Sequence, residues 1–367
     1  MTPLEHKLRD RIGRSGPIPV SEFMAMALGD PVHGYYRKSD PLGAKGDFIT
    51  GPEISQVFGE LIGLWCVHCW QQAGAPNPVK LVELGPGRGT LMSDALRAVT
   101  TVHAFTEACD IHLVETSPVL RRCQELALKD HRVTWHEVLE HVPAGPALII
   151  ANEFFDALPI DQYQMTEAGW RLRCVGLNPA GDRFRFVTNH KAPDKTVLPP
   201  NLDGVPVGGL FEACPAGLQI AGTLGARMAD EGIAALIIDY GHARSEAGET
   251  LQAVQNHTYC DVLTNVGEAD LTAHVDFAAL GSRAKQTGVR IYGPVPQGTF
   301  LTELGIEART NQLAARANKR TATLLKTGAH RLIGADSMGM LFKVMALTGD
   351  GVSNPAGFES LLHQRTE

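Results

Sequence analysis

From about residue 79, continuous apolar runs alternate with amphipathic helical stretches, and this rhythm limits the possible folds more than any other feature. "VKLVELG", "DIHLVETS", "VTWHEV", "ALIIANEF" and "AALIIDYGH" have the character of strands, and "MGMLFKVMALT" adds another near the end. "TLMSDALRAV" and "PVLRRCQELAL" fit helices between the early strands. Strands that are apolar along their whole length must be covered on both faces, so the alternation predicts a parallel sheet in an α/β protein. We place this core at 76–250. Residues 1–75 are predicted as helices around a Gly- and Pro-punctuated loop, with a long helix over about 52–73. There Thr50-x-x-Glu53 has the form of a capping box, and Ile54, Val57, Phe58, Leu61, Ile62 and Trp65 recur at helical spacing. "DQYQMTEAGWRLRCVGLN" predicts a hairpin. Residues 251–335 leave the rhythm and are expected to form a mostly helical insertion, a lid, before a last sheet strand in 336–350 and a tail over 351–367.

"VELGPGRGTL" lies between the first strand and the first helix of this core. At such a turn, backbone N–H groups and a helix N-terminus converge on a ligand. Gly85, Gly87 and Gly89 are spaced G-x-G-x-G around Pro86, whereas a dinucleotide fingerprint is G-x-G-x-x-G; Thr90 takes the place of its third glycine. Glu83, two residues earlier, would repel a diphosphate but can hold an ammonium or a hydroxyl. The combination suits S-adenosyl-L-methionine, which has an amino-acid end, a sulfonium charge and no phosphate. Glu115, ending the second strand, is placed to accept ribose hydroxyls.

The fourth strand runs into "ANEFFDALP", where a purely packing strand would end in small turn residues. A sheet of this kind places that end at the topological switch region, beside the ligand. Asn152 is expected near the methyl donor. Glu153 and Asp156 are candidates for gripping a guanidinium, with Phe154 or Phe155 stacked on its plane. Asp156 would equally serve as the cap of a helix starting at Ala157. Tyr240 and His242 after a later strand, and Asp270, His274 and Asp276 in "GEADLTAHVDF", are candidate polar groups at a substrate mouth. Asp276 is also placed to cap a helix. The loop "AKGDFITG", with Asp47 and Thr50, is expected to close over the cofactor.

Composition narrows the partners. A net charge of −7 on 367 residues argues against a nucleic-acid binder held by phosphate contacts, so no nucleic-acid partner is expected. No apolar run reaches the length of a membrane span, so no membrane insertion is expected. The first 20 residues carry Glu5 and Asp10 and no apolar core, which fits a folded terminus rather than a targeting peptide. Seven cysteines suggest reduced thiols in a cytoplasm. Cys66-x-x-Cys69 has no second ligand pair, so no metal is expected.

"GDFIT-GPEISQVFGE", "VELGPGRGTLMSDALR", "NEFFDALPIDQYQ", "IIDYGH", "GEADLTAHVDF" and "MGMLFKVMAL" together resemble the MidA-like family, the mitochondrial complex I assembly-factor methyltransferases and their bacterial relatives. The resemblance runs from about residue 20 to 347. It implies a class I, Rossmann-like methyltransferase with a seven-stranded, mostly parallel sheet and added helices. It further implies S-adenosyl-L-methionine-dependent methylation of an arginine in a protein substrate, a subunit of NADH:ubiquinone oxidoreductase, in the mitochondrial matrix for the eukaryotic relatives. Another protein or small-molecule substrate, or a chaperone that binds the cofactor without catalysis, stays open at this point.

Overall fold

The computed structural model describes residues 1–38, 50–194 and 197–360. Asp47 lies outside them. The chain divides into two units, each assembled from three stretches of sequence.

One unit comprises Ile49–Phe155, Ile220–Ala243 and Phe277–Glu367 and contains the alternating core. Its strands are β1 (Val79–Leu84), β2 (Cys109–Val114), β3 (Val133–His136), β4 (Ala147–Asn152), β5 (Ala234–His242), β6 (Arg290–Pro296) and β7 (Phe342–Thr348), in the order β3-β2-β1-β4-β5-β7-β6. β1 to β5 are mutually parallel, and β7 runs antiparallel to both β5 and β6. All six residues of both β1 and β4 are buried, as strands covered on both faces require. The chain builds outward from β1 on one side and from β4 on the other. A topological switch therefore falls between these two strands, and the loops after them meet there.

The helix Gln56–Gln72 packs on the helix Thr90–Val99 at close range. A Cβ at Gly63 would come within 2.8 Å of Ala95 Cα, so glycine here sets the helix spacing. The long helix expected over 52–73 is two helices. A four-residue turn, Gly51–Ile54, ends at Ser55, which leaves helical geometry and caps the next helix by accepting from the Val57 N–H at 3.3 Å. The capping box at Thr50 does not form, because the Thr50 side chain makes no cap bond. The carboxylate of Glu53 instead accepts from Thr90 Oγ1 and lies 3.7 Å from Arg88.

The other unit comprises Met1–Phe48, Asp156–Gln219 and Arg244–Asp276. The hairpin Asp161–Thr166 with Gly169–Leu177 forms where expected, flanked by Ile18–Pro19, Phe184–Thr188 and Leu210–Ala213. A second small sheet joins Gln252–Gln255 to Thr258–Cys260 and to Asp270–Thr272. Leu4, Leu8, Phe23, Met24, Val175 and Leu271 belong to its core. The stretch 251–335 therefore departs from the mostly helical expectation. Its first part is this small sheet, its middle contains β6, and its helices are Phe277–Lys285, Gln297–Glu303, Ile306–Ala314 and Lys319–Ile333.

Among the described residues, no helix is long and apolar enough to cross a membrane, and no group of three or more His, Cys, Asp or Glu could hold a metal ion. All seven cysteines are free thiols. Cys66 and Cys69 lie in the core on one helix, where burial pushes both thiols up and leaves them unreactive.

Candidate functional site

The turn after β1 is built from three residues with positive φ: Gly85 at +60°, Gly87 at +53° and Gly89 at +83°. Gly85 N–H donates to Val114 O at 3.0 Å, tying the turn to the end of β2. Gly89 is the left-handed N-cap of the helix Thr90–Val99. The helix N-terminus and the turn thus face the same end of the sheet, where β1, β2 and β4 end.

Glu83 is 3% exposed and accepts from the Met92 backbone N–H in the first turn of that helix. Its other oxygen, Oε2, is buried with no hydrogen-bond partner among the described residues. Burial pushes the carboxyl up from 4.5 to about 8. The Asn152 Oδ1 at the end of β4 is likewise buried without a partner among the described residues. Two orphaned acceptors beside a glycine turn fit a ligand with a cationic, proton-donating amino-acid end. They do not fit a phosphate.

Glu83 should also be visible in the pH dependence of the ligand-free protein. The folded state holds this proton more tightly than the unfolded chain. The group's contribution is therefore fully favourable below about pH 4.5 and is lost as pH rises through about 8. The whole change is at most roughly 5 kcal/mol. Urea melts of wild type and Glu83→Gln at pH 5 to 9 should show wild-type stability falling with pH relative to the variant. Parallel curves would mean that Glu83 does not titrate there.

Glu115 directly follows β2, with Oε1 accepting from Ser117 N–H at 2.7 Å and Oε2 from Gln124 Nε2 at 3.2 Å. Burial raises its carboxyl despite these donors. The sequence reading missed Gln124, which is fully buried. Its Nε2 also donates to Gly87 O at 2.7 Å, and its Oε1 accepts from Trp135 Nε1 at 2.9 Å. One amide thus joins the glycine turn, the β2 carboxylate and β3. The only hint was a polar residue on the apolar stripe of "PVLRRCQELAL". Gln124→Leu would take this partner from three polar groups, Glu115 Oε2, which is buried, and Gly87 O and Trp135 Nε1, which are half-buried; the buried one alone costs about 1–3 kcal/mol. A stability loss of roughly 3 kcal/mol by urea denaturation is expected, with weaker cofactor binding. A loss under about 0.5 kcal/mol would remove Gln124 from this role.

After β4 the backbone turns sharply. Glu153 has φ +49°, a left-handed conformation that non-glycine residues rarely adopt outside sites that hold them there. Its N–H still donates to Ile238 O at 2.9 Å. The next two N–H groups, Phe154 and Phe155, both donate to Asp239 Oδ2 at 3.1 and 2.9 Å, and Tyr240 N–H donates to Asp239 Oδ1 at 3.0 Å. Asp239, fully buried on β5, clamps this turn. Glu153 Oε1 accepts from Gly51 N–H at 2.8 Å and from Asn152 Nδ2 at 3.3 Å. The carboxylate is therefore fixed against the helical turn that starts just after Thr50.

Phe154 and Phe155 meet edge to face at 5.4 Å. Phe155 is buried, and Phe154 lies over the glycine turn, where a Gly85 Cβ would be 2.8 Å from its Cδ2. Tyr240 packs on Phe342 at 5.4 Å. In the other unit, Asp156 begins a turn and not a helix, so the capping alternative does not hold. Its backbone O accepts from Ala273 N–H at 3.0 Å. Tyr36 donates its hydroxyl to Asp270 at 3.0 Å, and burial, Asp270 and Asp156 raise that phenol well above its ordinary range. His274 N–H donates to Thr250 Oγ1 at 2.8 Å, and Asp276 immediately precedes the helix Phe277–Lys285.

Residues 61–295 match a family described as S-adenosyl-L-methionine-dependent methyltransferases. Over 94% of its length the chain is 38% identical to a Danio rerio protein named protein arginine methyltransferase NDUFAF7, mitochondrial, covering 86% of it. The Homo sapiens protein of that name is 38% identical, covering 95% of this chain and 83% of the relative. A solved structure of a COG1565 superfamily member from Burkholderia thailandensis, bound to S-adenosyl-homocysteine, is similar with a TM-score of 0.83 and 26% identity. The match covers 96% of this chain and 93% of that one.

Proposed function

The chain belongs to the MidA-like family of S-adenosyl-L-methionine-dependent methyltransferases, and from that premise we propose that it methylates an arginine nitrogen of a protein. The proposed client is a subunit of NADH:ubiquinone oxidoreductase, whose assembly the modification would aid. The observation that carries the reading is the carboxylate of Glu153, locked by backbone strain and two hydrogen bonds at the end of β4, next to an orphaned Asn152 oxygen. The names of these relatives, protein arginine methyltransferase, support the choice of arginine.

Glu83 and Asn152 would hold the amino-acid end of the donor, the Gly85–Gly89 turn its middle, and Glu115 its ribose. When bound, S-adenosyl-L-methionine supplies an electrophilic methyl group on a sulfonium. The chain's own task is then positioning. A guanidinium is planar and cationic, with its lone pairs delocalised. A fixed carboxylate that accepts two of its N–H groups orients it and favours the extra positive charge that develops on the nitrogen. Glu153 is assigned this work, with Asp156 as the second carboxylate of the reading. Phe154, Phe155, Tyr240, His274 and Asp276 are assigned to substrate binding, and Thr50 with Asp47 to the cofactor side. A reducing compartment, the cytoplasm in a bacterium, belongs to the same reading, because the seven thiols are unbridged.

Mass spectrometry of complex I subunits from cells with and without this protein tests the proposal. An arginine methylated only when the protein is present is the expected result. Identical methylation in both would overturn it.

A further inference from the structure

Between Glu307 and Asp336 the chain has six Lys or Arg residues and no carboxylate, although its net charge is −7. Arg309 is committed to buried Glu60, Nε to Oε2 at 2.7 Å. Arg316, Lys319, Arg320, Lys326 and Arg331 are exposed, and none has an ion-pair partner among the described residues. Four of them lie on the helix Lys319–Ile333 around Leu324, which is 63% exposed.

The placement works against the helix itself. Lys319 and Arg320 occupy its first turn, which contains no acidic residue, so two cations face the positive end of the helix dipole. A surface selected only for stability would place carboxylates there. The helix also stands beside the candidate site. A Cβ at Gly328 would be 3.0 Å from Ile54 O, on the short helix whose first N–H is held by Glu153.

We propose that this helix is a docking surface for an acidic segment of the protein substrate, next to the arginine to be modified. The proposal rests on the protein arginine methyltransferase reading. A cationic target alone would be repelled by five unpaired cations at the rim. Carboxylates flanking the target reverse that repulsion, so the surface selects arginines in an acidic context. An anionic bilayer is the competing occupant. The seat beside the turn that anchors Glu153 favours the substrate, because there the contact positions the reacting residue.

The test uses short fluorescein-labelled peptides with one central arginine flanked by glutamate, alanine or lysine, with the full-length protein saturated with S-adenosyl-homocysteine. At low salt the glutamate-flanked peptide should bind roughly tenfold tighter than the alanine-flanked one, and the difference should shrink as salt is added. The triple variant Lys319→Glu, Arg320→Glu, Lys326→Glu should abolish the preference and leave S-adenosyl-homocysteine affinity unchanged. Its melting temperature should be unchanged or higher, because acids now occupy the first turn, so unfolding cannot explain the loss. Equal binding of the three peptides, or none, overturns the proposal. So does a triple variant that keeps the preference, or wild type that binds phosphatidylglycerol vesicles but no peptide. In a parallel assay of the same peptides with S-adenosyl-L-methionine in place of S-adenosyl-homocysteine, acidic-peptide binding without arginine methylation would keep the docking surface and remove the arginine reading. Methylation without a flanking preference would do the reverse.

Discussion

Glu153→Gln is expected to lower methyl transfer by roughly 10²–10³-fold while S-adenosyl-homocysteine affinity barely changes. The amide keeps the shape, and its oxygen can still accept from Gly51 N–H, so the turn after β4 should survive. What disappears is the negative charge facing a cation whose charge grows as the bond forms. That corresponds to about 3–4 kcal/mol of transition-state stabilisation. Asn152→Ala should behave differently, weakening cofactor binding and turnover together, because its orphaned oxygen is assigned to the donor. Calorimetry with S-adenosyl-homocysteine and methyl incorporation on each variant separate the two roles. Normal turnover by Glu153→Gln would make the strand end purely structural. Asp239 is then a poor substitute, because its two oxygens already hold the N–H groups of Phe154, Phe155 and Tyr240.

Gly85→Val should lower cofactor affinity by at least about 100-fold, through two separate effects. The backbone at φ +60° costs a side-chain-bearing residue about 1–2 kcal/mol, and β-branching adds to it. The new Cβ would also stand 2.8 Å from Phe154 Cδ2, so the ring or the turn must move. The turn is held from below by Gly85 N–H to Val114 O and by Gln124 Nε2 to Gly87 O, which leaves little room to adjust. Titration calorimetry, with a melting curve to confirm folding, checks this. Wild-type affinity would mean that the ligand does not depend on the turn.

The parts legible in the sequence were those set by local pattern. Continuous apolar strands gave away the parallel sheet, and the glycine spacing with Glu83 pointed to the donor. β6 was hidden because "RIYGPVP" interrupts its apolar run with Gly293 and Pro294, and its pairing with β7 shifts register between Tyr292 and Val295. The turn joining Gln252–Gln255 to Thr258–Cys260 uses Asn256 and His257, both at positive φ, a hairpin signal weaker than Asn-Gly. No box forms at Thr50, because Glu53 is held by Thr90 and Arg88, which are distant in sequence, and the long helix breaks at Ser55, where the backbone is extended and the side chain caps the next helix. Gln124 and the Asp239 clamp are tertiary facts. A buried amide and a buried carboxylate have the same letters as surface ones, and only the fold shows which donors and acceptors they meet.

Arginine methylation is tested by supplying purified protein with S-adenosyl-L-methionine carrying an isotopically labelled methyl group, and with purified complex I subunits. Fragmentation mass spectrometry then locates the label. Label is expected on an arginine side-chain nitrogen, and is lost with Glu153→Gln while the variant still binds S-adenosyl-homocysteine. Label on another side chain or on a small molecule, or incorporation that is unchanged in the variant, would contradict that expectation.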